Sequence, residues 1–352
     1  MTLEVKALSK RVGAETHIYE TSLAFAETGF NVLLGATNAG KTTLIKLIAG
    51  LEQPTGGEIC LGDRNLTGVS TQKRRVSLVH QFFINYPTMT VYENIASPLR
   101  VAGMSKAEID QRVEEAANLL KLEPILGRRP GELSGGQQQR TALARAIVKD
   151  SDVVLLDEPL ANLDYKLREE IRDQLPQLFA DRGAVVVYAT SEPAEALMLG
   201  GHTACLHEGR VTQFGPTAQT YRAPADMVTA GVFSDPPINM AHVEKVGDTL
   251  HMSGYASWTA SGPIAGLGDG QYTLGVRPHH VLPGSGAGVS LTGTVQITEL
   301  SGSESVAHFR MGDLSWVSQS DGVHPYEVGT ETAFTMDPSG CLFFDGDGRL
   351  IA

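Results

Sequence analysis

A glycine-containing loop near the N-terminus constrains the fold more than any other feature. Residues 35–43 read Gly-Ala-Thr-Asn-Ala-Gly-Lys-Thr-Thr and fit the pattern G-x-x-x-x-G-K-[ST]. An apolar run at 32–34 precedes the loop as a candidate strand, and apolar residues follow it at helical spacing over 44–48. The first two thirds of the chain continue this alternation, which predicts an α/β domain built on a largely parallel sheet.

The loop itself is a predicted phosphate site. Its glycines let successive backbone N–H groups turn towards a phosphate, and the following helix adds unpaired N–H groups and its positive dipole end. We expect Lys41 to reach the β and γ phosphates of a nucleoside triphosphate and the Thr42 hydroxyl to ligate Mg²⁺. The predicted binding residues are Gly35, Ala36, Thr37, Asn38, Ala39, Gly40, Lys41, Thr42 and Thr43.

Two acidic residues follow a second apolar run. The run at 153–156 ends in Asp157 and Glu158. Taken alone, such a pair is more often a solvated strand end. Acidic residues at the carboxyl end of a parallel strand, however, lie beside a phosphate loop of this kind. Asp157 is then a candidate Mg²⁺ ligand through water, and Glu158 is a candidate to orient or deprotonate the attacking water.

Composition limits the partners of this 352-residue chain. Its formal net charge of −12 disfavours a bulk electrostatic grip on nucleic acid or anionic lipid. No apolar run is long enough to span a bilayer and the N-terminus lacks a signal-peptide pattern, so we expect a cytosolic chain. Cys60, Cys205 and Cys341 are far apart and odd in number, which favours reduced, structural thiols.

The pattern of apolar runs and turn residues changes near residue 235. Upstream, apolar runs at 31–34, 153–156 and 184–189 are candidate buried strands, and 106–121 is a candidate amphipathic helix capped by Ser105 and Glu108. Downstream, β-like runs recur between turn residues, at 272–276, 293–300, 306–309, 315–318 and 332–336. The sequence predicts a first domain at 1–234 and a small all-β barrel or sandwich at 235–352, with 283–288 as a long turn.

A second anion-binding pattern precedes the acidic strand. Leu133 is followed by Ser134, Gly135, Gly136 and Gln137, and then by an Arg- and Ala-rich helix whose N-terminal N–H groups suit an anion. Alone, this is a glycine-rich helix cap. With the other motifs in this order the chain resembles the ATP-binding-cassette (ABC) ATPases, whose signature is LSGGQ. The resemblance implies an α/β P-loop NTPase fold with a helical subdomain at about 88–150. It also implies that the signature of one subunit and Lys41 of another clamp one ATP.

Further matches extend the resemblance. Gln81 looks like the glutamine-loop residue of the family, which senses Mg²⁺ and the nucleophilic water. Residues 162–164 look like the loop that crosses the dimer interface. The aromatic-rich stretch after Gln81 resembles the surface that receives a transmembrane permease subunit, with core packing as the alternative; its members are Phe82, Phe83, Tyr86, Pro87 and Tyr92.

The chain is similar over nearly its whole length to importer ATPases of the maltose and glycerol 3-phosphate type. The matching segments are 160–164, 166–168, 214–216 and 275–278, with Tyr221 and Pro224-Ala225. The resemblance implies ATP and Mg²⁺ as cofactors and an OB-type C-terminal domain that strengthens dimerisation and can receive regulators. It also implies permease partners, an indirect link to a solute-binding protein, a place on the inner face of the membrane, and no nucleic-acid partner.

Three positions depart from the family. Ser191 stands where the family has a histidine that contacts the γ-phosphate, and a hydroxyl cannot carry positive charge. Val12 stands where an aromatic ring normally stacks on adenine, which weakens nucleotide binding unless His17 or Tyr19 substitutes. Asn38 replaces a common glycine, a mild change because Asn tolerates a left-handed backbone.

These departures predict an asymmetric pair of ATPases. The chain's own site would be slow, while its intact LSGGQ would complete an efficient site on a non-identical partner subunit, as in the paired ATPases of a bacterial glycerol importer that the chain resembles. Three alternatives stay open: a homodimeric sugar-importer ATPase, a soluble ABC ATPase acting on ribosomes or DNA, and a subunit that binds nucleotide without turnover.

Overall fold

The computed structural model describes residues 1–161, 163–180 and 183–352. The chain forms two compact units, Met1–Thr220 and Tyr221–Ala352. The strands of the first unit are β1 (Leu3–Val12), β2 (Glu15–Phe25), β3 (Phe30–Leu34), β4 (Gly56–Leu61), β5 (Arg64–Asn65), β6 (Val76–Val79), β7 (Val153–Asp157), β8 (Val185–Thr190), β9 (His202–His207) and β10 (Arg210–Pro216). Its helices are α1 (Lys41–Ala49), α2 (Val91–Val101), α3 (Lys106–Leu119), α4 (Gly135–Ile147), α5 (Tyr165–Ala180) and α6 (Pro193–Leu199), while α7 (Thr217–Arg222) contains the point of division.

A six-stranded sheet in the order β10-β9-β3-β8-β7-β6 forms the centre of the first unit. Its strands are parallel except for the β9–β10 hairpin. Every residue of β3, β7 and β8 is buried, as their Val- and Leu-rich runs predict. The carboxyl ends of these three strands meet at one edge, so they bring the glycine loop, the acidic pair and Ser191 together.

The second sheet of this unit is antiparallel, in the order β2-β1-β4-β5. Its apolar side chains join those of α1 and the central sheet in one core. Helices α2 to α4 occupy residues inside the segment 88–150 for which the resemblance implies a helical subdomain. The expected cap of α3 is present, since Ser105 and Glu108 exchange side-chain and backbone hydrogen bonds. Across the described residues, no helix is long and apolar enough to cross a bilayer.

The second unit is all-β apart from short helices, among them α8 (Met227–Val232). Its strands are β11 (Asn239–Val246), β12 (Thr249–Met252), β13 (Ala256–Thr259), β14 (Gly270–Val276), β15 (Val281–Pro283), β16 (Val289–Leu300), β17 (Glu304–Met311), β18 (Leu314–Asp321), β19 (Glu331–Met336) and β20 (Leu342–Phe344). They form two five-stranded antiparallel sheets, β13-β12-β11-β14-β20 and β15-β19-β16-β17-β18, around a shared core. Residues 284–288 connect β15 to β16 as a turn.

The second unit begins ahead of the compositional break at 235. Tyr221 packs edge-on against Phe233, and the Arg277 guanidinium lies 3.7 Å from the centre of the Tyr221 ring. Ala230 of α8 is buried beside Phe344. These contacts attach the segment before Asp235 to the β unit, although its own composition carries no β signal.

Candidate functional site

The glycine loop closes tightly over the end of β3. A Cβ on Gly35 would lie 2.4 Å from the Leu206 carbonyl oxygen, and a Cβ on Gly40, whose φ is +107°, would lie 2.8 Å from Ile18. Asn38 adopts a left-handed conformation with φ of 67°, as its residue type permits. Only glycine fits at 35 and 40, so the loop backbone is held in a fixed curve from which α1 starts at Lys41.

Lys41 lies inside this curve. Its Nζ donates to the carbonyl oxygens of Gly35 (2.7 Å) and Ala36 (3.0 Å) and lies 3.5 Å from Glu158 Oε1. The side chain is only 5 % exposed. Burial lowers the pKa of the Lys41 ammonium, and Glu158 opposes that shift. A buried cation with exchangeable carbonyl partners suits a phosphate oxygen.

Thr42 and Asp157, the two residues expected to hold a metal, are in direct contact. Thr42 Oγ1 donates to Asp157 Oδ1 at 3.1 Å, while Asp157 Oδ2 is buried without a hydrogen-bond partner. Burial raises the pKa of the Asp157 carboxyl. An unpartnered buried carboxylate oxygen is costly unless a cation meets it, and hydroxyl and carboxylate oxygens are the ligands that Mg²⁺ takes. The residues present therefore fit the metal that the family implies.

Gln81 and Glu158 lie together beside this pair. Gln81 Nε2 donates to Glu158 Oε2 at 3.1 Å. Glu158 has a φ of 48°, a conformation that costs about 1–3 kcal/mol outside glycine. Its backbone N–H donates to the Ala189 carbonyl, which ties the turn after β7 to β8. The strained turn aims the Glu158 carboxylate at Lys41 on one side and at Gln81 on the other.

Ser191 follows β8 at the same edge. Gly35 N–H donates to the Thr190 carbonyl oxygen, so the residue before Ser191 contacts the phosphate loop directly. Ser191 itself is exposed. The structure thus places a hydroxyl, with no ionisable group, at the position where the resemblance expects an imidazole.

A buried carboxylate holds the Ser191 turn from behind. Glu195 is 3 % exposed, and its Oε2 accepts hydrogen bonds from Thr190 Oγ1 (2.5 Å) and Tyr188 OH (3.0 Å). Its Oε1 accepts two more from the Arg168 guanidinium, at 3.0 and 2.8 Å. Arg168 also contacts Glu192, the residue after Ser191. We name Arg168, Tyr188, Thr190 and Glu195 the Glu195 cluster. Sequence reasoning missed it, because Glu195 reads as an ordinary first-turn acidic residue of α6.

The signature segment lies apart from the loop. Ser134 Oγ accepts from the Gln137 N–H, and Gln137 Oε1 accepts from the Ser134 N–H, which forms a capping box at the start of α4. Ser134 and Gly135 are exposed. Residues 134–137 are absent from the lining of the cavity at the phosphate loop. Within the described part of one chain, the two anion-binding patterns therefore form separate surfaces.

The phosphate loop opens into a cavity of about 720 Å³. Its lining includes four predicted site residues, namely Lys41, Thr42, Gln81 and Glu158. Its lining also includes residues of two segments that the motifs do not cover, namely 15–17 and 19 at the start of β2, and 208–210 at the β9–β10 turn. Val12 is 49 % exposed and is not among the residues that line the cavity.

The aromatic-rich stretch after Gln81 is not core. Phe82 is 79 % exposed and Tyr86 is 44 % exposed, with Arg145 stacked over the Tyr86 ring at 4.4 Å. Phe83, Pro87 and Tyr92 are also not buried. Core packing, the alternative, is therefore wrong for Phe82, Tyr86 and Pro87, while Phe83 and Tyr92 are partly buried. Of the expected interface loop at 162–164, Asn162 lies outside the described residues, while Asp164 Oδ1 accepts the Leu167 N–H at the start of α5.

Comparison with known proteins agrees with this geometry. The family model described as ABC transporter matches residues 19–161, and the TOBE domain model matches residues 274–344. The chain is 36 % identical over 341 residues to the sn-glycerol-3-phosphate import ATP-binding protein UgpC of Cupriavidus pinatubonensis, which covers 93 % of this chain and 92 % of that protein. It is 38 % identical over 357 residues to UgpC of Burkholderia cenocepacia, covering 97 % of each. The sulfoquinovosyl glycerol transport ATP-binding protein SmoE of Agrobacterium fabrum is 34 % identical over 348 residues, covering 98 % of this chain and 97 % of SmoE.

Solved structures match part of the chain. The dimeric post-hydrolysis state of the ATP-binding cassette MJ0796, bound to ADP and Pi, aligns with a TM-score of 0.57 at 28 % identity and covers 61 % of this chain and 98 % of that one. A second dimeric structure of MJ0796 aligns with a TM-score of 0.56 at 29 % identity and the same coverage.

The fold and the site define an ATP-hydrolysing cassette followed by a TOBE-type β domain. The chain belongs to the ABC transporter family, in its branch of import ATP-binding proteins. The resemblance stated from the motifs is thereby confirmed, as is the predicted fold class.

Proposed function

We propose that the chain binds ATP with Mg²⁺ at the loop 35–43 and that its hydrolysis energises import of a glycerol-containing solute through transmembrane permease subunits. The observation that carries the proposal is the contact between Gln81, Glu158 and Lys41 beside the Thr42–Asp157 pair. The solute class is supported by relatives named for sn-glycerol 3-phosphate and sulfoquinovosyl glycerol.

Each residue of the site has a task in this proposal. Lys41 exchanges its bonds to the Gly35 and Ala36 carbonyls for β and γ phosphate oxygens, next to the backbone N–H groups of the loop. Thr42 and Asp157 would hold Mg²⁺, which would supply positive charge beside the phosphate oxygens. Glu158 accepts the proton of the attacking water, which Gln81 holds in line with the γ phosphorus. The water oxygen forms a bond to the γ phosphorus as the bond from that phosphorus to the β–γ bridging oxygen breaks, and ADP and phosphate leave.

The pairing with a second, non-identical ATPase rests on Ser191. A neutral hydroxyl contributes less than an imidazolium to stabilising the charge that develops on the γ phosphate. Because residues 134–137 form a separate surface, they are free to complete the site of another subunit. The chain would then supply an intact signature to an efficient partner site while its own site turns over slowly.

The remaining partners follow from exposed surfaces. Phe82, Ile84 and Tyr86 project from the segment after Gln81, and we propose that they receive a cytoplasmic helix of a permease subunit. The chain would sit on the inner face of the membrane without spanning it, and a solute-binding protein would deliver the solute on the far side.

The asymmetry is tested by steady-state ATPase measurements on the purified chain, alone and with its companion ATPase and permeases in liposomes. We expect slow turnover alone and an increase of about 100-fold with Ser191→His. Ser191→Ala is the matched control and should leave the slow rate nearly unchanged, while Glu158→Gln should abolish it. Full turnover by the chain alone, with no gain from Ser191→His, would favour the homodimeric alternative.

Transport is tested separately. Liposomes that contain the assembled permease should accumulate radiolabelled glycerol 3-phosphate or glycerol when ATP is inside, and Lys41→Ala should stop the uptake. Co-purification with ribosomes and no stable complex with permease subunits in detergent would favour a soluble ABC ATPase and contradict the proposal.

A further inference from the structure

The nucleobase end of the site lacks the aromatic ring that the family uses. Val12 ends β1, pairs with Glu15 across a tight turn and lies outside the cavity lining. A valine side chain also has no planar face on which a base can stack. Position 12 therefore cannot supply the stacking contact, and any grip on the base has to come from another wall of the cavity.

A different wall is fixed to the phosphate loop by backbone hydrogen bonds. Gly209 N–H donates to the Ala39 carbonyl at 3.0 Å, and Tyr19 N–H donates to the Gly209 carbonyl at 2.9 Å. A Cβ on Gly209 would lie 2.5 Å from the His17 carbonyl oxygen. The backbones of β2 and the β9–β10 turn are therefore too close for any residue larger than glycine at position 209. The backbone that carries the side chains of this wall is therefore fixed relative to the phosphate loop.

Planar groups project from this wall. The Arg210 guanidinium lies 3.6 Å from the centre of the Tyr19 ring, which is a stacked arrangement. Tyr19 remains 37 % exposed, and the His17 side chain, 39 % exposed, lines the same cavity with its Nε2 3.6 Å from the Glu15 carboxylate. Aromatic rings and Arg planes are the groups on which nucleobases stack.

We propose that His17, Tyr19 and Arg210 hold the base of the bound nucleotide and so replace the ring missing at position 12. The inference rests on ATP binding at the loop 35–43, and it assigns the base contact to β2 and the β9–β10 turn. Arg210 pre-orients the Tyr19 ring, which lowers the entropy that is lost when the base stacks. A stacked base of this kind strengthens binding by about 5- to 150-fold.

The test compares two ligands that share the triphosphate chain, one of which carries a nucleoside while the other does not. Isothermal titration calorimetry on the full chain with Mg²⁺ gives the Kd for ATP and for inorganic tripolyphosphate. We expect ATP to bind at least about fivefold more tightly. His17→Ala and Tyr19→Ala should each reduce that ratio, and the double variant should bring it near one, with the Kd for tripolyphosphate unchanged.

Matched variants separate the inference from the function on which it rests. Val12→Ala should leave the ratio unchanged, Tyr19→Phe should retain it, and Arg210→Gln should lower it in part. Because the His17 side chain is 39 % exposed and lies outside the apolar core of the first unit, His17→Ala carries the test if Tyr19→Ala fails to fold. A ratio that survives the double variant, or that falls with Val12→Ala, would overturn the inference while leaving ATP binding intact. If Lys41→Ala changes the Kd of neither ligand, the loop is not the phosphate site and both proposals fail.

Discussion

Removal of the Glu195 carboxylate should destabilise the first unit strongly. Glu195→Ala leaves the hydroxyls of Tyr188 and Thr190 buried without their acceptor, and it leaves Arg168 with Glu192, outside the cluster, as its carboxylate partner. An orphaned buried hydroxyl costs about 1–3 kcal/mol, and breaking a buried charge pair costs about 3–5 kcal/mol in all. We expect a loss of about 3–5 kcal/mol, and about 1–2 kcal/mol for Glu195→Gln, which keeps an acceptor of the same shape.

The assay has to resolve the two units, because a chain with two compact units need not unfold in one step. Amide hydrogen exchange read out by mass spectrometry gives local opening free energies. Protection should fall in β8 and the start of α5 and stay unchanged in β16 to β18, which serve as the internal reference. Differential scanning calorimetry should show only the transition of the first unit shifting downwards.

The matched control is Glu192→Ala. The Glu192 side chain is 45 % exposed and contacts the same Arg168, so its loss should cost no more than about 1 kcal/mol. Equal loss of protection in Glu192→Ala and Glu195→Ala would refute the reasoning, because it would mean that the buried hydroxyls do not depend on Glu195.

Three further predictions concern single side chains. Asp157→Asn should raise the thermal midpoint of the nucleotide-free chain at pH 7. Burial raises the pKa of Asp157 above its ordinary 3.8, so ionisation of this carboxyl destabilises the folded chain above about pH 4. Calorimetry should therefore show that the gain in thermal midpoint vanishes as the pH falls towards about 4. Arg74→Ala should lower the free energy of unfolding in urea by about 3 kcal/mol. The buried guanidinium donates to four backbone carbonyls, two of them at the end of α1, and Arg74→Lys should restore little of the loss. Ellman's reagent at pH 8 should find no fast thiol until denaturant is added, since two cysteines are buried and burial raises the pKa of Cys341 to about 12; a rapid native reaction would contradict this.

The centre of the site could be predicted from sequence because its signals are local. Gly35 and Gly40 are needed within one tight loop, and Asp157 directly ends its own strand. The capping boxes at Ser105 and Ser134 depend on residues three positions apart, which a sequence displays openly. Strand positions were predictable for a similar reason, since fully buried parallel strands require continuous apolar runs.

What sequence did not predict depends on contacts between distant segments. Glu195 meets Arg168 across 27 positions, and Arg210, on the edge strand β10 of the central sheet, stacks on Tyr19 of β2. No spacing rule connects such residues. The start of the second unit also depends on distant contacts, since Tyr221 packs against Arg277 and Phe233.

The hydrogen bond from Gly209 to Ala39 joins two parts of the chain that carry different chemistry. The phosphate loop is encoded near the N-terminus, whereas the β9–β10 turn that contacts it is encoded after β9, the last strand of the sheet that pairs in parallel. Mutation can therefore alter the surface offered to a nucleobase without touching a catalytic codon. Under the base-binding proposal, the loss of a ring on β1 can be offset by planar side chains on β2 and the β9–β10 turn, which the Gly209–Ala39 hydrogen bond holds against the phosphate loop.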